Sequence, residues 1–207
     1  MSAAAHILGN IQHALSVRAL CVHLATEPSA RVRRECVNGL TALEMKEGLP
    51  AVECALSDRS GHVRLAAVRG VYRLAGSESA ALLVNMFADE NDDVRRRAVA
   101  CTGWLQQQHL ALEIQPLLFD NSPFVRVAAL EALGNLKSFA LLAEIIELLN
   151  DPEEAVRKKS FKILQAITGK QMAKTFPEDE DARQFLIARW RGWWEEESSH
   201  PETGKSE

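Results

Sequence analysis

No stretch of eighteen apolar residues occurs anywhere in the 207-residue sequence, so no segment has the length and apolarity to cross a bilayer as a helix. The opening "MSAAAHILGN" has neither the basic start nor the long apolar run of a secretory leader. There is one tyrosine, and glycine (11) and proline (7) are sparse. Alanine, leucine, valine, arginine and glutamate dominate instead, which favours helix over strand. The four cysteines, Cys21, Cys36, Cys54 and Cys101, form no C-x-x-C pair, and each falls within an apolar helical pattern. They read as small buried hydrophobes in a reducing cytoplasm, ahead of disulfides or zinc.

Chemistry-bearing motifs are also missing. The sequence has no glycine-rich phosphate loop and no G-x-S-x-G. "DENDD" at 89–93 lacks the glycine and the terminal glutamate of a calcium loop and reads as a turn with a helix cap. His6, His13, His23, His62, His109 and His200 are scattered, with no H-x-x-x-H. A formal net charge of -4 argues against a surface built for nucleic acid as a whole, while leaving room for a local basic patch. No cofactor or metal is implied.

What is present is a period. Val-Arg pairs begin at Val32, Val63, Val94, Val125 and Val156, each 31 residues after the last. Five residues before each valine stands an acid: Glu27, Asp58, Asp89, Asp120 and Asp151. Four residues after it comes Cys36, Ala67, Ala98, Ala129 or Ser160, and eleven after it Leu43, Leu74, Leu105, Leu136 or Ile167. An invariant spacing of this kind marks a repeat protein. At about 100° per residue, positions 0, 4, 8 and 11 share one helix face. A second apolar pattern precedes each acid, as in "LPAVECALSD" and "FALLAEIIELLND". Each unit therefore predicts two helices joined by a short turn, with the turn acid and its neighbours capping the second helix. Pro123 and Pro152 lie at or near that helix start, where proline loses no intrahelical hydrogen bond.

Helical hairpins with Asp in the turn and Val-Arg opening the second helix resemble HEAT repeats of the short, phycobilisome-lyase-like type. The resemblance covers roughly residues 14–168. It implies an all-α fold, a right-handed α-α superhelix of about five hairpins. It also implies a ladder of turn Asp with the Arg six residues later: Asp58 with Arg64, Asp89 with Arg95, Asp120 with Arg126 and Asp151 with Arg157. Glu27 with Arg33 departs from the pattern. Metal hydroxylases built on such repeats carry paired His-Glu dipeptides, and none occurs here. For activity the resemblance is otherwise nearly silent, because such arrays serve unrelated tasks.

The ends differ from the middle. Leu8, Gly9, Asn10 and Ile11 match Leu133, Gly134, Asn135 and Leu136, so residues 1–13 predict a partial repeat beginning inside a second helix. That segment is either a cap or the remnant of earlier repeats in a longer protein; its apolar character favours the second. After five units (14–168), residues 169–198 predict a loop and a tryptophan-rich helix. Leu186, Trp190, Trp193 and Trp194 there sit at helical spacing and are expected to cover the last unit. The ending "ITG…WRGWW" resembles the terminal caps of bacterial HEAT proteins, which implies a bacterial source. Residues 199–207 are expected to be disordered.

In such an array the second helices line the concave surface. Their outward positions hold Arg34, Arg69, Tyr72, Arg73, Arg96, Arg97, Trp104, Gln107, Lys158, Lys159 and Lys162, with acids chiefly at Glu35 and Glu131. Across 30–45, 61–76, 92–107, 123–138 and 153–168 there are 15 basic and 7 acidic residues, a net +8 that leaves -12 for the rest of the chain. The expectation is a non-catalytic, monomeric cytoplasmic scaffold or adaptor that binds an acidic peptide or protein segment along a basic groove. The alternatives are a bilin-handling protein of the phycobilisome-lyase type and a HEAT-like DNA-binding protein; the overall acidity weighs against the latter.

Overall fold

A computed structural model describes residues 3–199, with side chains from residue 14 onward, and among the described residues every regular element is helical. The chain divides into two compact units, Met1–Leu105 and Gln106–Glu207. The first holds α1 (Ala3–Thr26), α2 (Ala30–Leu43), α3 (Leu49–Cys54), α4 (Gly61–Ala75), α5 (Ala80–Asn85) and α6 (Asp92–Trp104). The second holds α7 (Ala111–Ile114), α8 (Pro123–Leu136), α9 (Leu142–Glu147), α10 (Glu154–Thr168) and α11 (Glu180–Ser199). The Val-Arg helices are α2, α4, α6, α8 and α10. In the first unit α2, α4 and α6 pack side by side, with α1 against α2; in the second, α8 packs on α10.

The acid sets the turn between the two helices of each hairpin. Asp58 accepts the N–H of Ser60 at 2.8 Å, Asp89 that of Asn91 at 2.8 Å, Asp120 that of Ser122 at 2.8 Å, and Asp151 that of Glu153 at 2.9 Å. The carboxylate thus bonds the residue at the N-cap, bending the chain into the helix, and not the first-turn N–H groups that sequence reasoning assigned to it. Asn91 is a true side-chain cap, accepting from Asp93 N and Val94 N. The first helices α3, α5, α7 and α9 are short, and 3₁₀ turns lengthen several of them, as at Lys46–Gly48 and Ala55–Ser57 around α3.

The four-position stripe is the core. Val63, Ala67 and Val71 on α4 and Val125, Ala129 and Leu133 on α8 have no exposed surface. Val32, the first of the series, is 40% exposed, whereas its four counterparts are fully buried. In α4, Gly70 permits close helix packing, since a Cβ there would meet Val52 Cγ1 at 2.6 Å and Thr41 Oγ1 at 2.8 Å. Both are β-branched side chains with little rotamer freedom to yield.

Two expectations change. Helix α1 runs unbroken from Ala3 to Thr26, so no break separates residues 3–13 from the first predicted unit. "NIQHA" at 10–14 contains no glycine, proline or turn-forming cluster that would end a helix. The side chains of Leu8 to Ile11 lie outside the described residues, as do residues 200–207. Among the cysteines, Cys36 and Cys101 are buried and Cys21 is half-buried, but Cys54 is exposed, because it ends α3 on the side away from Val52. At the C-terminus α11 packs on α9, burying Leu186, Ile187 and Trp190. Trp193 meets Trp190 edge-on at 5.7 Å, and Lys170 lies 5.0 Å over the Trp193 ring.

Candidate functional site

The recurring arginine holds neighbouring hairpins together. Arg33 grips Asp58 through Nε at 2.7 Å and Nη2 at 2.8 Å; Arg64 grips Asp89 at the same two distances, and Arg126 grips Asp151 at 2.8 Å on both. The third arm, Nη1, turns back to the carbonyl of the residue six positions earlier. Arg64 reaches Asp58 O at 2.9 Å, Arg95 reaches Asp89 O at 2.7 Å, Arg126 reaches Asp120 O at 2.7 Å, and Arg157 reaches Asp151 O at 2.7 Å. The six-residue link is therefore guanidinium to backbone, while the carboxylate partner lies 25 residues downstream, in the next hairpin. These pairs are planar, bidentate and largely shielded from water. Hydrogen bonding by Arg33 holds the Asp58 carboxyl below its usual range. Burial is the largest influence on Asp89 and favours its neutral form, but the bonds from Arg64 and the Asn91 N–H outweigh it, leaving a net lowering. These groups act structurally.

The outward face of the second helices carries the candidate binding residues. In the first unit, Tyr72 of α4 and Trp104 of α6 meet with ring centroids 5.6 Å apart, and Trp104 is 45% exposed. Beside them, Asn38, Thr41, Ala42, Ala66, Arg69 and Arg73 line a cleft of about 250 Å³. Arg69 and Arg97 have no ion pair among the described residues, and both lie near the Cys101 thiol. Burial pushes that thiol up to about 11, the arginines pulling weakly the other way, so it stays a protonated core group.

Much of the expected positive charge is already matched. Arg34 pairs with Glu35 at 2.7 Å, Arg96 with Asp93 at 2.8 Å, and Arg73 with Glu44. In the second unit Lys158 pairs with Glu154 and Lys159 with Glu131, whereas Lys162 is exposed with no ion pair among the described residues. Glu44 is the acid that sequence reasoning missed. It caps α2 in the left-handed region (φ 53°), which turns its side chain toward Arg73 of the adjacent helix. A non-glycine helix end carries no sequence signal for such a turn. Gln107 lies at the start of the second unit and is half-buried.

Among the described residues no group of three or more His, Cys, Asp or Glu side chains converges as a metal site would require, and no helix is long and apolar enough to cross a membrane. The repeat model for HEAT repeats matches residues 17–102 and 112–196. The chain belongs to the HEAT-repeat family. Among solved structures, this HEAT array is similar to the complex of CpcE and CpcF of phycocyanin lyase from Nostoc sp. PCC7120, at 17% identity and a TM-score of 0.62, over 82% of this chain and 74% of that one. It is also similar to an engineered protein, at 15% identity and a TM-score of 0.54, over 91% of this chain and 90% of the other. At such identities the likeness is one of fold. No curated protein matches the sequence significantly.

Proposed function

We propose that this HEAT array is a non-catalytic interaction module, and that the first unit's α2–α4–α6 face receives an acidic protein segment. One observation carries the reading: two arginines without acid partners, Arg69 and Arg97, stand beside an aromatic pair, half-buried Tyr72 and exposed Trp104. Arginine supplies bidentate contacts to carboxylates, and the rings supply rigid apolar area, the composition that dominates binding hot spots. Arg73 contributes by exchange, releasing Glu44 for an incoming carboxylate. The pair is exposed on both sides, so the exchange costs little. The CpcE and CpcF structure is itself a two-protein complex, which accords with a role in binding.

The test is fluorescence anisotropy with a labelled peptide of alternating glutamate and leucine. Binding should weaken with rising salt and fall roughly tenfold or more in the R69A/R97A or W104A chain. Equal binding by these variants overturns the site. Visible absorbance gained on mixing with a bilin pigment, or tight duplex DNA binding with a steep salt slope, overturns the class of partner.

A further inference from the structure

The arginine ladder has a last member whose carboxylate partner is not supplied by the repeat. Arg157 is anchored like its counterparts, with Nη1 donating to Asp151 O at 2.7 Å and Pro152 O at 2.8 Å. Twenty-five residues on, where Arg33, Arg64 and Arg126 find an aspartate, the sequence places Ala182. Neither Nε nor Nη2 of Arg157 bonds a group among the described residues, and Nε is shielded from solvent. An N–H shielded and unpaired is costly, so a group held this way points to something that binds it.

The unpartnered edge opens on a cavity of about 270 Å³. Lys158, Arg183, Glu154, Glu178 and Phe176 share its lining with Arg157. The Nε of Arg183 is likewise buried without a partner, although its other arm pairs with Glu180. Phe176 packs on Phe161 with centroids 5.7 Å apart and gives the cavity an apolar wall. Two guanidinium edges therefore share a small cavity with one aromatic ring, while the Lys158 ammonium there is paired with Glu154.

We propose that this cavity is a carboxylate-binding site, in which Arg157 grips the ligand in the bidentate manner that Arg126 uses on Asp151. The site is separate from the α2–α4–α6 face and does not depend on it. The volume suits a small acid or one acidic side chain and falls below that of a drug-sized pocket. Glu154 and Glu178 on the rim disfavour phosphate, which carries nearly twice the charge, and select a monoanion. The carboxylate comes either from a free small acid or from an Asp or Glu side chain of a protein segment.

The experiment is a titration of the full chain followed through its arginine Nε–H resonances. The probes are propionate, an acetylated aspartate-containing tetrapeptide, and inorganic phosphate. The Arg157 Nε–H signal should move downfield and saturate with propionate or with the tetrapeptide, and the tighter of the two names the source. The Arg157 shift should weaken in R183K, and the Arg183 Nε–H signal should cease to respond to either carboxylate in R157K, with melting curves confirming that both variants fold. E178Q should tighten binding by removing a competing negative charge. Three results overturn the proposal: no saturating shift with either carboxylate, tighter binding of phosphate, or an Arg157 Nε–H signal already shifted in the unliganded chain that E178Q moves back. The last would mean that Glu178 itself fills the role.

Discussion

Replacing Asp89 by Asn tests whether the ladder stabilises the stack of hairpins. The side chains of Arg64 and Asp89 are 9% and 4% exposed, with two bonds of 2.7 and 2.8 Å between them. The asparagine keeps one acceptor oxygen, enough for the Asn91 N–H, but turns an amide donor toward the Arg64 guanidinium. Breaking a buried pair from one side costs about 3–5 kcal/mol, because the remaining charge stays buried and unpaired. Glu90, exposed and 3.1 Å from Arg64 Nη2, offers partial relief and places the cost near the lower figure. A loss of roughly 3 kcal/mol corresponds to a fall in Tm of about 6–12 °C for a chain of this size. Urea and thermal denaturation followed by circular dichroism measure it. Adding Arg64→Met removes the orphaned charge, so the double variant should be more stable than the sum of the two single losses by about 1–3 kcal/mol. A D89N chain that melts with the parent, or a double variant whose loss is the simple sum, refutes the inference that this pair acts as a unit.

Acid should loosen the array through the same groups. Asp58 and Asp89 titrate lower in the folded chain than the ordinary carboxyl value of about 3.9. Their stabilisation is complete above the unfolded value, then declines as the pH falls through it toward the folded values. The midpoint urea concentration should drop below about pH 4–5, and less steeply in D58N/D89N, because fewer depressed carboxyls remain to take up protons. A Leu136→Ala and Arg69→Ala comparison separates core from surface. Leu136 is 2% exposed and its truncation should cost about 2–5 kcal/mol, whereas exposed Arg69 should change stability by less than about 0.5 kcal/mol. Equal losses in urea melts would contradict the assignment of faces.

The core stripe was legible because burial follows periodicity: positions 0, 4 and 8 are buried in α4, α6, α8 and α10, and position 11 in all but α6, where Leu105 is half-buried. Val32 on α2, at 40% exposure, departs from the rule although its residue type is the same. The ladder was half legible. With a 31-residue period, an acid six residues before an arginine guarantees another 25 residues after it, and a one-dimensional pattern cannot choose between them. Only the structure shows that the backbone carbonyl takes the near role and the carboxylate the far one. The matched charges on the outward face were not legible for a related reason. Glu44 meets Arg73 across two helices, through a left-handed cap that nothing in "TALEMK" announces.

Separating the arginines by position shows where specificity can reside. The arginines after Val32, Val63 and Val125 are committed to aspartates of the ladder, so their positive charge says nothing about a ligand. The outward positions vary from hairpin to hairpin: Arg69, Tyr72 and Arg73 on α4, Arg97 and Trp104 on α6, Lys162 on α10. Apart from Tyr72, which is half-buried against the core, these side chains lie outside the hydrophobic core. Of the basic ones, Arg69, Arg97 and Lys162 also escape pairing among the described residues. A surface that is both variable along the repeat and unused by the fold is where differences between such arrays can change the partner without changing the scaffold. The basic excess counted over the second helices overstates this surface, because it includes the ladder arginines. The proposed recognition face of the first unit comes down to two unpaired arginines and two rings, a small enough set that R69A/R97A removes its unpaired charge while leaving the ladder intact.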